Sequence, residues 1–241
     1  MARLRADQLL VARGLFESRA RAQAAIEAGL ILADGAVVAK ASSTLPTNAK
    51  IEASAPHPYV SRGGVKLAAA LDAFGIDPAG LTCLDAGAST GGFSDALLQR
   101  GAAHVFAVDV GHGQLHAKVA GNRRVTSFEG QDIRTLEAGL IQPMPQLGVI
   151  DVSFISLALV MPAVAKLLAP QATLAALIKP QFEAGRAALK KGVVRDASVH
   201  ERVCQDVRQL VAGLGFAEIG LIPSPVEGGD GNPEFLIGAR R

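Results

Sequence analysis

The stretch Cys83-Leu-Asp-Ala-Gly-Ala-Ser-Thr-Gly-Gly-Phe-Ser-Asp95 decides how this chain reads. An apolar run ends on an acid, passes through a turn of small residues, and restarts as a helix near Phe93. Glycines let a backbone turn tightly, take positive φ and approach a ligand closely. The spacing is not Gly-x-Gly-x-x-Gly and no Lys-Ser/Thr pair follows, so neither a dinucleotide fingerprint nor a phosphate-gripping loop is the first reading. An acid leading the turn, Asp85, suits a cationic ligand better than a pyrophosphate. The competing reading is structural: the glycines make a tight turn and the acids cap helices.

Working outward, strands are expected at residues 82–85, 104–109, 148–151 and 174–179, with helical runs between them and an amphipathic helix over 65–74. Such alternation predicts a parallel sheet covered by helices on both faces. Asp85, Asp109, Asp151 and Lys179 each end an expected strand, which lines four ionisable groups along the edge where ligands of such sheets bind. Asp109 stands where an acid accepts both hydroxyls of a ribose. Asp132, after the short run 125–130, is placed to meet an adenine amino group. With Gly87, Ser89, Gly91, Gly92 and Phe93 of the turn, these residues describe a site for a nucleoside with a positively charged, non-phosphate tail. S-adenosylmethionine has that chemistry.

The chain has 241 residues, 49% apolar and 19% charged, which fits one large domain or a large one with a small one and excludes wholesale disorder. Cys83 and Cys204 are too few for a disulfide framework, so a reducing cytoplasm is expected. His112 and His116 lack the Glu of a zinc motif, and no metal is expected. The charged start lacks the apolar core of a signal peptide. The apolar stretch 157–178 is broken by Pro162, Lys166 and Pro170. A spanning helix needs about 20 mostly apolar residues, so a buried helix and a buried strand are expected there, in a soluble protein.

The first 58 residues read as a unit of their own. Asp7 is expected to cap a helix over 8–13, Ser18 a second over 19–28 that Gly29 ends, and Asp34-Gly35 to turn a hairpin. A third strand is expected near 50–53, and a linker over 59–64 within the Pro- and Gly-rich stretch 55–64. Residues 65–241 form the larger domain. The formal charge of +2 is uneven: residues 1–62 carry 8 basic against 5 acidic groups, net +3, and residues 63–241 carry 16 against 17, net −1. Arg3, Arg5, Arg13, Arg19 and Arg21 form a cluster able to meet RNA phosphates, although a solvated helix face would look alike.

Residues 82–95, together with Asp109-Val-Gly-His-Gly-Gln-Leu115, resemble the TlyA family of rRNA ribose methyltransferases, which are related to the FtsJ enzymes. Tyr59-Val-Ser-Arg-Gly-Gly-Val-Lys-Leu67, Asp151-Val-Ser-Phe-Ile-Ser-Leu157, Ile178-Lys-Pro-Gln-Phe-Glu183, Gly192-Val-Val-Arg-Asp196 and Gly231-Asn-Pro-Glu-Phe235 resemble its further blocks, in order. The resemblance implies an α/β fold: a small S4-type RNA-binding domain followed by a Rossmann-like, S-adenosylmethionine-dependent methyltransferase domain. Its last two strands are expected as an antiparallel hairpin within 216–241. It implies ribosomal RNA or ribosomal subunits as partner, a ribose 2′-hydroxyl of cytidine as target, and a catalytic tetrad of Lys66, Asp151, Lys179 and Glu234. In that tetrad Lys179 is expected to deprotonate the hydroxyl, Asp151 to orient Lys179 or the sulfonium side, Lys66 to hold the target ribose or phosphate, and Glu234 to complete the frame. Two other classes compete. A non-catalytic RNA-binding protein would be favoured by loss of a tetrad member, and none is lost. A membrane-active hemolysin, a label attached to this family, would need a spanning or amphipathic segment. The sequence is equally compatible with a monomer and a dimer.

Overall fold

The computed structural model describes residues 2–53, 57–185, 188–189 and 192–241. The fold divides the chain into two units, Met1–Pro58 and Tyr59–Arg241. Ala55 and Pro56 of the expected linker stretch lie outside the described residues.

The first unit runs β1 (Arg3–Arg5), α1 (Ala6–Ala12), α2 (Arg19–Glu27), β2 (Ile31–Ala33), β3 (Ala36–Val37), β4 (Thr44–Pro46) and β5 (Ile51–Ala53). Ser18 caps α2 as expected, its hydroxyl accepting the Arg21 N–H at 3.3 Å. Asp34 and Gly35 both take positive φ, 50° and 80°, which turns β2 into β3, and β5 pairs on the other side of β2. Asp7 does not cap α1; Arg5 occupies that position, and Asp7 sits buried in the first turn. Its carboxylate instead receives the guanidiniums of Arg5 and Arg19 and the amide of Gln23. Arg5 first, with Arg19 and Gln23, holds that carboxyl far below the usual carboxylate range despite its burial.

The second unit runs α3 (Arg62–Phe74), β6 (Thr82–Ala86), α4 (Gly92–Gln99), β7 (His104–Asp109), α5 (Ala117–Ala120), β8 (Val125–Glu129), β9 (Leu147–Ile150), α6 (Leu157–Leu167), β10 (Thr173–Ile178), α7 (Pro180–Glu183), α8 (Ala197–Gly213), β11 (Ala217–Pro223) and β12 (Phe235–Arg240). The strands form one seven-stranded sheet in the order β11-β12-β10-β9-β6-β7-β8. β8, β7, β6, β9 and β10 are parallel, and β12 lies antiparallel between β10 and β11. Successive strand residues face opposite sides. Cys83, Val105 and Leu147 therefore pack with Leu67, Leu71, Phe93 and Leu97 from α3 and α4. Leu84, Phe106 and Ile150 pack with Leu157, Met161, Val203 and Val207 from α6 and α8. No helix among the described residues is long and apolar enough to cross a membrane.

From β6 the chain proceeds outward to β7 and β8, then returns to place β9 on the other side of β6. This reversal splays the loops apart at the carboxyl ends of β6 and β9, the crevice where doubly wound sheets bind ligands.

Candidate active site

β6 carries Asp85 into the interior with no exposed surface. Its Oδ2 accepts the Ser94 hydroxyl from α4 at 2.6 Å, and its Oδ1 has no hydrogen-bond partner among the described residues. Burial, opposed by the Ser94 bond and reinforced by the charges of Asp151 and Asp109, raises this carboxyl to about 7. The glycine turn follows. Gly87 has φ +87°, and a Cβ there would overlap the Asp151 carbonyl oxygen, so only glycine lets the turn lie against the end of β9. The bond between Asp151 N–H and Ala86 O, 3.0 Å, closes the same approach.

Asp109, at the end of β7, accepts the N–H groups of Ser89 and Gly111, both at 2.7 Å. It thereby ties the glycine turn to the next loop, and each oxygen keeps a lone pair for another donor. Asp132 is placed less simply than its sequence implied. Its oxygens accept the Arg134 N–H at 2.9 Å and the Arg134 guanidinium at 2.6–3.1 Å, which also lowers the Asp132 pKa. Those bonds occupy the carboxylate's lone pairs, so an adenine amino group would meet Asp132 only by displacing Arg134.

Asp109, Asp132, Ser89 and Gly87 line a cavity of about 570 Å³ with an apolar wall of Val108, Ile133, Val152 and Val160. A second hollow of about 280 Å³ is lined by Lys66, Lys179, Arg62, Gly92 and Phe93. Gly87, Ser89, Asp151 and Ser153 border both. Gly91 is buried at the amino end of α4 with φ +88°, against Leu115 and Val119.

The structure arranges Lys66, Asp151, Lys179 and Glu234 as two pairs. Lys66, 8% exposed, pairs with Glu234, 4% exposed. Lys179, 9% exposed, pairs with Asp151 Oδ1 at 2.6 Å and donates to Ser153 Oγ at 2.8 Å. A lysine in the interior needs such a partner, because desolvating an unpaired ammonium is expensive. Sequence reasoning missed Ser153, Phe154 and Glu183, for which position just beyond a strand-end acid or lysine was the available signal. Phe154 has φ +64° and is 90% exposed, lines the larger cavity, and stands 5.0 Å from the Phe182 ring. Left-handed backbone costs a bulky residue on the order of 1–3 kcal/mol and persists only where its surroundings enforce it.

In the first unit, four guanidiniums of the basic cluster make internal bonds. Arg3 donates to Thr44 O at 2.5 Å, Arg13 to Ala49 O at 2.6 Å and to Thr47 O, and Arg5 and Arg19 hold Asp7. Each has five N–H donors, so these bonds leave others for a ligand. Arg21 lies half-buried on α2. Among the described residues, no three His, Cys, Asp or Glu side chains gather as a metal site requires.

A family model described as an FtsJ-like methyltransferase matches residues 59–241, and one described as an S4 domain matches residues 4–51. The chain belongs to the FtsJ-like methyltransferase family. This methyltransferase is 43% identical over 236 residues to YqxC of Bacillus subtilis, which bears an rRNA methyltransferase label, covering 97% of this chain and 84% of that one. It is 41% identical over 241 residues to the 16S/23S rRNA (cytidine-2′-O)-methyltransferase TlyA of Mycobacterium tuberculosis, covering 99% and 90%. A solved structure from Streptococcus thermophilus that carries a hemolysin label superposes with a TM-score of 0.78 at 41% identity, covering all of this chain and 89% of that one. The methyltransferase is thus an α/β, Rossmann-like catalytic unit preceded by an S4 domain.

Proposed function

We propose that this chain uses S-adenosylmethionine to methylate a ribose 2′-hydroxyl of ribosomal RNA, on cytidine as its mycobacterial relative is named for, in the cytoplasm. One observation carries the reading: two lysines, each paired with a carboxylate, border a hollow that shares four lining residues with a nucleoside-sized cavity at the sheet's reversal point. The cavity fits the cofactor, because Asp109 and Asp151 border it and their carboxylates favour a cation, while Asp85, fully buried and outside that lining, keeps an unpartnered oxygen. When bound, the cofactor supplies a methyl group already activated on a sulfonium. The chain's own residues then have to position the hydroxyl, hold its proton and exclude water.

Gly87 and Ser89 form the floor under the cofactor, with Gly91, Gly92 and Phe93 shaping the turn from the start of α4, and Asp109 takes its ribose hydroxyls. Asp132 reaches the adenine edge if Arg134 swings out. Lys179 Nζ, fixed by Asp151 and Ser153, contacts the target hydroxyl and, in its uncharged amine form, takes the proton on its lone pair. Lys66, anchored by Glu234, holds the target ribose or its phosphate. Phe154 turns an exposed aromatic face to the cleft, on which an unstacked base can rest. The remaining donors of Arg3, Arg5, Arg13, Arg19 and Arg21 contact phosphates, which gives affinity without sequence reading.

Purified protein, ribosomal subunits and methyl-labelled cofactor test this. Label is expected on a 2′-hydroxyl, and Lys179→Ala should slow its transfer at least about 10²-fold, the usual scale for losing a general base. Cofactor affinity, read by calorimetry, should change little in that variant. Label on a base would reject the mechanism and leave the methyltransferase assignment standing.

A further inference from the structure

Lys179 and the loop that meets it are joined at a second place. Lys179 opens α7, and Glu183, at the far end of that single turn, reaches the point where loop 151–156 enters α6. Glu183 Oε1 accepts the Leu157 N–H at 2.8 Å, and Oε2 accepts the Ser156 hydroxyl at 2.6 Å. Ser156 Oγ in turn accepts the Ala158 N–H at 3.1 Å. The first N–H groups of α6 are therefore capped jointly by its own serine and by a carboxylate from another element, whose charge suits the positive end of the helix.

These bonds bound the loop at both ends. At its start, Asp151 N–H donates to Ala86 O; at its end stands Glu183. Between them Phe154 holds its left-handed φ, and its ring meets Phe182 from the same turn as Glu183. Neither cavity is lined by Glu183.

We infer that Glu183 is a positioning residue: it clamps loop 151–156 to α7 so that Asp151 and Ser153 meet the Lys179 amine at 2.6 and 2.8 Å. This role rests on the reading that Lys179 receives the hydroxyl proton. Without the clamp, the loop relaxes toward ordinary backbone at Phe154, Ser153 draws away, and the amine is free to sample other rotamers. Drift of an ångström at a reacting group costs on the order of 10²-fold in rate.

Glu183→Ala, Glu183→Gln and wild type are to be compared on ribosomal subunits, in single turnover with saturating S-adenosylmethionine and in steady state, alongside thermal melts. In Glu183→Ala, kcat should fall roughly 10- to 100-fold while KM for the subunits stays within about threefold. Glu183→Gln should recover most of the rate, because its amide oxygen still accepts the Leu157 N–H. A residue that merely supported the fold would lower the melting temperature and spare the single-turnover rate of folded protein. A wild-type rate in folded Glu183→Ala therefore overturns the positioning role. Should that variant not fold, Ser156→Ala, which removes one of the two clamping bonds, decides: reduced kcat at unchanged KM supports the clamp, and wild-type kcat rejects it. If wild type itself labels a base, the Lys179 reading falls and the clamp with it. If wild type labels the 2′-hydroxyl and Glu183→Ala does so equally fast, the clamp alone falls.

Discussion

Asp85 is a residue with opposed demands on it. A carboxyl in an unfolded chain loses its proton near 4, whereas that of Asp85 is held to about 7 by burial and by the neighbouring charges of Asp151 and Asp109. Between those values the folded protein keeps a proton that the unfolded chain has released. The contribution of Asp85 to stability is therefore full below about pH 4 and is lost as pH climbs to about 7. Asp85→Asn removes this slope. Above pH 7 and without cofactor the variant should melt at a higher temperature than wild type, by at most about 4 kcal/mol of folding free energy. It should also bind S-adenosylmethionine much more weakly. Melts of both proteins between pH 5 and 8 check the first point, and identical pH dependence would contradict the assigned titration. Calorimetry checks the second.

At the level of elements, the glycine turn lies against the end of β9, and on the proposed reading it acts through that contact. Gly87→Ala would press a methyl group against the Asp151 carbonyl at a positive φ. The expected loss is at least on the order of 1–3 kcal/mol in stability, together with weaker cofactor binding and slower transfer, since Asp151 must move. Gly80, at φ +73° with open space around it, provides the control. Gly80→Ala should lose stability and keep cofactor affinity; equal affinity losses in both would mean that the turn does not act by touching β9. The elements were legible in sequence to different depths. β7 falls where its apolar run predicted, and β6 and β10 lie within a residue or two, because buried parallel strands are nearly continuous apolar runs between turn residues. The pairing of β1 with β4 was not legible. Both are three-residue strands joined across a distant register, Arg3 opposite Pro46, too short to show alternation. Taken alone, without the family resemblance, Lys66 on an amphipathic helix reads as a solvated lysine. Its burial depends on Glu234, 168 residues away, and no local pattern announces such a partner. Arg134 hid its claim on Asp132 for the opposite reason: a partner two residues away is commonplace and passes unread.

Across the whole molecule, a net charge of +2 conceals an amino-terminal excess whose arginines serve two purposes. Arg5 and Arg19 neutralise a buried carboxylate, and Arg3 and Arg13 hold backbone carbonyls, so fold and positive surface share the same side chains. Arg3→Gln combined with Arg19→Gln should flatten the salt dependence of rRNA binding by roughly 0.7–0.9 in log–log slope for each phosphate no longer neutralised. Filter binding between about 50 and 200 mM salt measures this, and an unchanged slope in a folded double variant would remove both residues from the RNA surface. The order of the sheet has a consequence for gene expression. β12 sits inside the sheet yet follows its six other strands in sequence, and Glu234 immediately precedes it. A premature stop codon upstream of that glutamate would spare the glycine turn, the three acids and Lys179, yet strip Lys66 of its counter-charge and leave β10 with a raw edge open to aggregation. Shortened translation products should therefore be inert and quickly cleared, never rogue modifiers of ribosomes.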